Sequence, residues 1–156
     1  MGNGIKIATL FLRLSMAWYF LYAGISKLID SAWSAAGYLN NAKTFPQFYG
    51  WLASPQNIGW VDFLNEWGLT IIGILLALGL FTRAASFAGA LMLLLYYFPI
   101  LSFPYVGEHF YIVDSHVREI LVLVYLMVVR AGMYWGLDDV LQKSRLGSSI
   151  FFRWIA

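Results

Sequence analysis

The sequence predicts an all-α integral membrane protein, a four-transmembrane-helix bundle with a long first extracytoplasmic loop and both termini inside. Three observations predict it. Hydrophobic residues make up 61% of the chain and charged ones 12%, against roughly 45–50% and about 25% in soluble domains. Mean hydropathy is correspondingly high, at +0.70. The apolar residues gather in four stretches, each close to the length of about 20 residues that a membrane crossing needs. Every stretch also carries ionisable residues inside it or at its rim. A charge at the bilayer centre costs from about 2.5 to over 10 kcal/mol. Such groups therefore imply a polar interior, and function is to be sought there.

At 156 residues the chain reads as a single membrane domain, 1–156. The first span runs from about Ile5 to Ile29 and holds Arg13 and Lys27. A cleaved signal peptide has an apolar core of only about 7–15 residues, so this stretch reads as a retained helix. A loop from Asp30 to Trp60 follows, rich in Gly and Pro but also in aromatic residues such as Trp33, Tyr38, Phe48 and Trp51. Structureless loops of that length are uncommon, and this one reads as interfacial, with a short helix near Ser31–Asn40. The second span covers about 61–81 and the third about 84–101, with Glu66 entering the second and Arg83 between them. Ala84/Ala88 and Ala85/Gly89 place small residues four apart, which lets helix backbones approach closely. The fourth span covers about 113–135 and carries His116, Glu119 and Arg130.

Lys and Arg set the orientation. With both termini inside, Lys6, Arg13, Arg83, Arg130, Lys143, Arg145 and Arg153 fall on the inner side, and Lys27, Lys43 and Arg118 on the outer. The positive-inside rule favours that arrangement, and a multi-pass position in the plasma membrane of a prokaryote is the expected location. The acidic residues Asp30, Asp62, Glu66, Glu108, Asp114 and Glu119 fall outside, Asp138 and Asp139 inside. The charges then sort into two layers. Lys27, Glu66, His116 and Glu119 form the outer one; Arg13, Arg83, Arg130 and Asp138 form the inner. Arg13 to Lys27 and His116 to Arg130 are each fourteen residues apart. That is nearly four helical turns, roughly 21 Å, so each pair shares a helix face.

Lys27, Glu66, His116 and Glu119 are the candidate catalytic residues, because titratable groups of mixed sign converge on one level. The alternative is an ion-pair network joining three helix ends. Arg13, Arg83, Arg118 and Arg130 are candidates for substrate or quinone binding or for the polar core. Each has a plainer reading: Arg83 as a topology anchor, Arg13 and Arg130 as partners of Asp138 or snorkelling cations, Arg118 as a solvated group. His109 is a loop histidine with no assigned role. No metal is expected, since two histidines seven apart make a poor haem or zinc set. The chain has no cysteine, which removes disulfides, thiolate nucleophiles and iron–sulfur ligation. A net charge of +2 gives no indication of nucleic acid. An aromatic and Met stripe including Trp18, Phe20, Tyr22, Met92 and Tyr96 reads first as core and belt, and secondarily as a quinone slot.

Several segments carry a family resemblance. Arg13-Leu14 with Phe20, Gly24 and Lys27-Leu28, then Glu66-Trp67-Gly68-Leu69 and Gly79-Leu80-Phe81-Thr82-Arg83, resemble the DoxX/DoxD family of small four-helix membrane proteins. Val113-Asp114-Ser115-His116 and Gly132 through Asp138 resemble its last helix. The loop segment Trp33–Leu39 is closest to the DoxD branch. The resemblance implies the membrane subunit of a thiosulfate:quinone oxidoreductase, passing electrons to a membrane quinone beside a DoxA-like second subunit. Two other classes remain open. One is a non-catalytic accessory subunit of a larger respiratory complex of the quinol oxidase type, packed among lipid and quinone. The other is a small transporter, which the lack of repeat symmetry between the halves disfavours.

Overall fold

A computed structural model describes residues 2–106 and 110–144; Glu108, His109, Arg145 and Arg153 lie outside the described residues. Among the described residues, three helices are long and apolar enough to cross a membrane: α1 (Asn3–Ile29), α4 (Ile58–Leu78) and α5 (Thr82–Ile100). Between α1 and α4 the loop folds into two short helices, α2 (Ala36–Asn40) and α3 (Pro46–Leu52). The sequence reading anticipated the first of these and missed the second. After α5, a small antiparallel sheet is built from β1 (Leu101–Ser102), β2 (Tyr105–Val106) and β3 (Phe110–Tyr111) in the order β1-β2-β3.

The fourth predicted span, 113–135, needs correction. Its helix, α6 (Ser115–Val128), has 14 residues, or roughly 21 Å against a hydrocarbon core of about 30 Å. Arg130 ends it in a left-handed conformation with φ 51. A 3₁₀ turn (Ala131–Met133), a second positive φ at Trp135 and the short helix α7 (Leu137–Gln142) follow. Arg130 thus lies beyond the helix, and its fourteen-residue spacing from His116 does not put the two on one helical face. The Arg13/Lys27 spacing does hold along α1, where Arg13 is 1% exposed and Lys27 half-buried.

α1 lies along α4 and α6 along α5, α4 joins the two pairs, and α1 meets α6 only sparsely. The α1–α4 seam depends on two glycines. A Cβ on Gly73 would stand 2.6 Å from the Leu21 backbone nitrogen, and one on Gly24 at 2.6 Å from that of Thr70. Gly89 likewise makes room for Phe20 and Leu123, both fully buried at the centre of the bundle. The α4–α5 turn is set by Gly79, whose φ of 63 no β-carbon opposes. Its amide bonds Leu76 O at 3.2 Å while that of Leu80 bonds Leu75 O at 2.9 Å, the paired bonds of a Schellman stop.

Gly73→Ala is therefore expected to lower stability by about 1–3 kcal/mol, since the opposing atom is backbone. Gly68→Ala is the contrast: its methyl would sit 3.5 Å from Met92 Sδ, and relief from glycine's entropy should leave it neutral or more stable by up to about 1 kcal/mol. Unfolding in mixed micelles ranks the two.

Candidate functional site

Polar groups concentrate at the two ends of the bundle, and different rules govern each. At the α4–α5 turn end, Arg13 is brought to the start of the C-terminal segment. Its Nη1 donates to Ala131 O at 2.9 Å and to Tyr134 O at 3.2 Å, and Nη2 donates to Trp135 O at 3.2 Å. α6 has already stopped here: the Ala131 carbonyl also accepts from Tyr134 N in the 3₁₀ turn at 3.2 Å, and those of Tyr134 and Trp135 lie beyond that turn. Asp138, fully buried, works on the other side. Its carboxylate accepts from Phe81 N (2.8 Å), Thr82 N (3.0 Å) and Thr82 Oγ1 (2.7 Å), so it caps the N-terminus of α5 from 56 and 57 residues away. A carboxylate there satisfies free amides and faces the positive end of the helix dipole. Gly79, Gly132 and Gly136 form the floor; a Cβ on Gly136 would lie 2.7 Å from Arg13 Nη1. Arg13 and Asp138 attract across this arrangement while each is hydrogen-bonded to backbone.

At the loop end, Lys27 donates to Tyr96 Oη at 2.8 Å and stands over the Trp33 and Tyr96 rings at 4.8 and 5.0 Å. Tyr96 Oη in turn donates a hydrogen bond to Asn65 Oδ1. Glu66, one residue on in α4, is the nearby countercharge. The second group belongs to α6. Asp114 caps that helix by accepting from Val117 N at 3.2 Å and binds His116 Nδ1 at 2.5 Å, which fixes the imidazole tautomer. Glu119 follows one turn later beside the Tyr19 hydroxyl of α1.

The four residues expected to form one layer thus divide into two clusters. Lys27 with Glu66 sits between α1, α4 and α5, and His116 with Glu119 between α6 and α1. Among the described residues no hydrogen bond joins the clusters. Of the arginines, Arg13 is polar core, Arg83 and Arg130 are half-buried at the turn end, and Arg118 is exposed. Among the described residues, no three His, Asp or Glu side chains converge as metal ligands.

Residues 8–100 match the family model for DoxX. The chain belongs to the DoxX family. The match runs from α1 through α5, so it includes Arg13, Lys27, Glu66 and Arg83 of this DoxX chain, while the α6 cluster and Asp138 follow it. No curated protein and no solved structure matches the chain.

Sequence reasoning overlooked Asn65, Tyr19 and Tyr38, and left Tyr96 among the core aromatics. Asn65 was legible as a polar neighbour of Glu66 inside an apolar run. Tyr38 was not, because its partner is a backbone carbonyl 58 residues away, next to one released by a proline. Pro99 has no N–H to give to Leu95 O, and Tyr49 Oη supplies that bond at 3.1 Å. Tyr38 Oη donates to the next carbonyl, Tyr96 O, at 2.5 Å. With Ala35 N on Asp62 Oδ1 at 2.8 Å, these bonds dock α2 and α3 over Lys27.

Two outcomes are expected. Arg13→Met removes the guanidinium bonds from three carbonyls, of which Ala131 O keeps its turn bond, and leaves Asp138 without its countercharge, which should cost about 3–5 kcal/mol in unfolding experiments. Arg13→Lys should recover only part, because an ammonium cannot span three acceptors. In the docked loop, burial, with the charges of Tyr49 and Asp114 adding to it, pushes the Tyr38 phenol from 10.0 up to about 12. A raised pKa means the docking contribution is complete below pH 10 and is lost as pH climbs towards 12. The phenolate absorbance difference between wild type and Tyr38→Phe should titrate near 12; a midpoint near 10 would show an undocked loop.

Proposed function

We propose that this chain is the membrane subunit of a thiosulfate:quinone oxidoreductase-like complex, lying in the plasma membrane of a prokaryote with both termini inside. In this reading two thiosulfate dianions couple to tetrathionate, releasing two electrons, and a membrane quinone takes up those electrons with two protons to become the quinol. The observation that carries the proposal is Lys27: a half-buried cation at the loop end, held by Tyr96 and the Trp33 ring, on the side that this reading takes as the outside. An anion there gains a charge-assisted hydrogen bond, the stronger kind. DoxX membership and the DoxD-like loop segment support the reaction class. The protons the quinone needs have carriers nearby in His116, Glu66 and Glu119. A DoxA-like second subunit is the expected partner, and α6 with the turns after it is taken as the fourth crossing.

One observation favours a second reading, a non-catalytic accessory subunit of a quinol oxidase-type respiratory complex. Lys27 already has Tyr96 and Glu66, an arrangement that serves packing equally well. Turnover separates the two. Lys27→Ala and His116→Ala should each lower thiosulfate-dependent quinone reduction by on the order of tenfold or more in a complex that still assembles, while Arg83→Ala acts on insertion instead. Unchanged turnover in both variants would transfer the case to the accessory reading.

Orientation has its own test, which the absence of cysteine makes clean. In sealed cells Lys43→Cys is expected to react with an impermeant thiol reagent, and Arg83→Cys only after permeabilisation. Reaction at position 83 from outside would refute the topology.

A further inference from the structure

α1 and α6 are tied at the turn end and part above it. The tie consists of the Thr9 and Tyr125 hydroxyls, hydrogen-bonded at 2.9 Å, together with the bonds from Arg13 to the segment after α6. Above the tie a crevice of about 350 Å³ opens between the two helices. Ser15, Met16 and Tyr19 line it from α1, and Ser115, Arg118 and Glu119 from α6. Ser15 and Tyr19 are four apart, as are Ser115 and Glu119, so each helix turns one polar stripe towards the gap. A second crevice, of about 280 Å³ between α5 and α6, is lined by apolar side chains apart from Ser86, so the α1–α6 seam is the more polar of the two.

Three features restrict what the crevice takes. Glu119 Oε2 is buried without a hydrogen-bond partner, a costly state unless an O–H or N–H donor arrives. The Tyr19 hydroxyl stands beside that carboxylate. Arg118, exposed at the mouth, sets one positive charge against the one negative charge of Glu119, so the pair favours a neutral head. Finally, Ser15 to Tyr19 lie midway along α1, and the exposed neighbours Leu12, Leu121 and Val124 are apolar. A ligand therefore enters sideways from the hydrocarbon and must itself be lipophilic.

We propose that the crevice between α1 and α6 binds the ring of a hydroquinone-class lipid. One ring hydroxyl donates to Glu119, and the ring's oxygens meet the hydroxyls of Tyr19 and Ser15. The inference rests on the quinone-linked reading given above and adds the place and the residues to it. It assigns Glu119 and Tyr19 to the ligand and leaves Lys27 to the other end of the reaction.

A short-chain benzoquinone bearing a photoreactive azide, applied to the full chain in liposomes, tests it. Label is expected on α1 near Leu12–Tyr19 and on α6 near Ser115–Val122, and excess unlabelled quinol should compete it away. Ser15 is exposed, so Ser15→Trp fills the crevice without entering the core and should reduce labelling about tenfold or more. Glu119→Leu removes the acceptor and should weaken competition by quinol about tenfold; wild-type melting temperatures in both variants show that the fold is intact. Label spread evenly over lipid-facing positions, label concentrated on α4 or α5, or label indifferent to Ser15→Trp would overturn the proposal. Crevice labelling in a complex inert towards thiosulfate keeps the site and removes the donor. Thiosulfate-dependent quinone reduction with label elsewhere removes the site and keeps the reaction.

Discussion

The buried Arg13 side chain is the constraint on which the rest of the architecture depends. A guanidinium cannot be left bare among apolar helices, and no carboxylate lies beside it on α1. Its partners are carbonyls of Ala131, Tyr134 and Trp135, available only because α6 breaks off at Val128. The break that looks like a defect in the fourth helix is therefore what satisfies a charge in the first. The same break turns the chain back far enough for Asp138 to reach the start of α5. One irregular segment thus ties α1, the α4–α5 turn and α6 together, and its glycines are required because Arg13 and Asp138 occupy the space their side chains would need.

The loop end solves the same problem with side chains instead of backbone. Pro99 frees a carbonyl near the end of α5, and Tyr38 and Tyr49 reach from the loop to cover the carbonyls of that turn. The docked loop then supplies Trp33 to Lys27 and buries a small cluster of Ala35, Leu39, Tyr49 and Val61 against the bundle. Phenol hydroxyls and an ammonium tolerate rearrangement better than a set of backbone bonds does. The two ends consequently differ in kind: the turn end is fixed, whereas the loop end presents titratable side chains that can exchange partners.

That difference explains why α1 and α6 diverge. Near Arg13 they are bound through the C-terminal turns and the Thr9–Tyr125 pair; further along, α1 follows α4 while α6 follows α5. At Tyr19 and Glu119 the two helices share the side-chain hydrogen bond between those residues, without the backbone network of the turn end. The polar groups left facing one another there are the natural place to look for a ligand of a DoxX bundle.

By itself, the sequence determined the membrane class, three of the helices to within about three residues, the close packing at Gly89, though not that at Gly24 and Gly73, and the division of charges between two levels. Those follow from local length, hydropathy and spacing, since lipid leaves a chain no other way to satisfy its backbone. Tertiary structure decided what sequence periodicity could not. It ended α6 at Val128, although the apolar pattern continues to Trp135, because satisfying Arg13 outweighs the helical bonds of a few residues. It separated Lys27 and Glu66 from His116 and Glu119, because a shared level along the bundle does not specify which helices are neighbours. It also gave Tyr38, Asn65 and Tyr19 their partners, and none of these pairings has a local signature. A residue's depth can be read from its position in a span, but its partner depends on which seam of the bundle it faces.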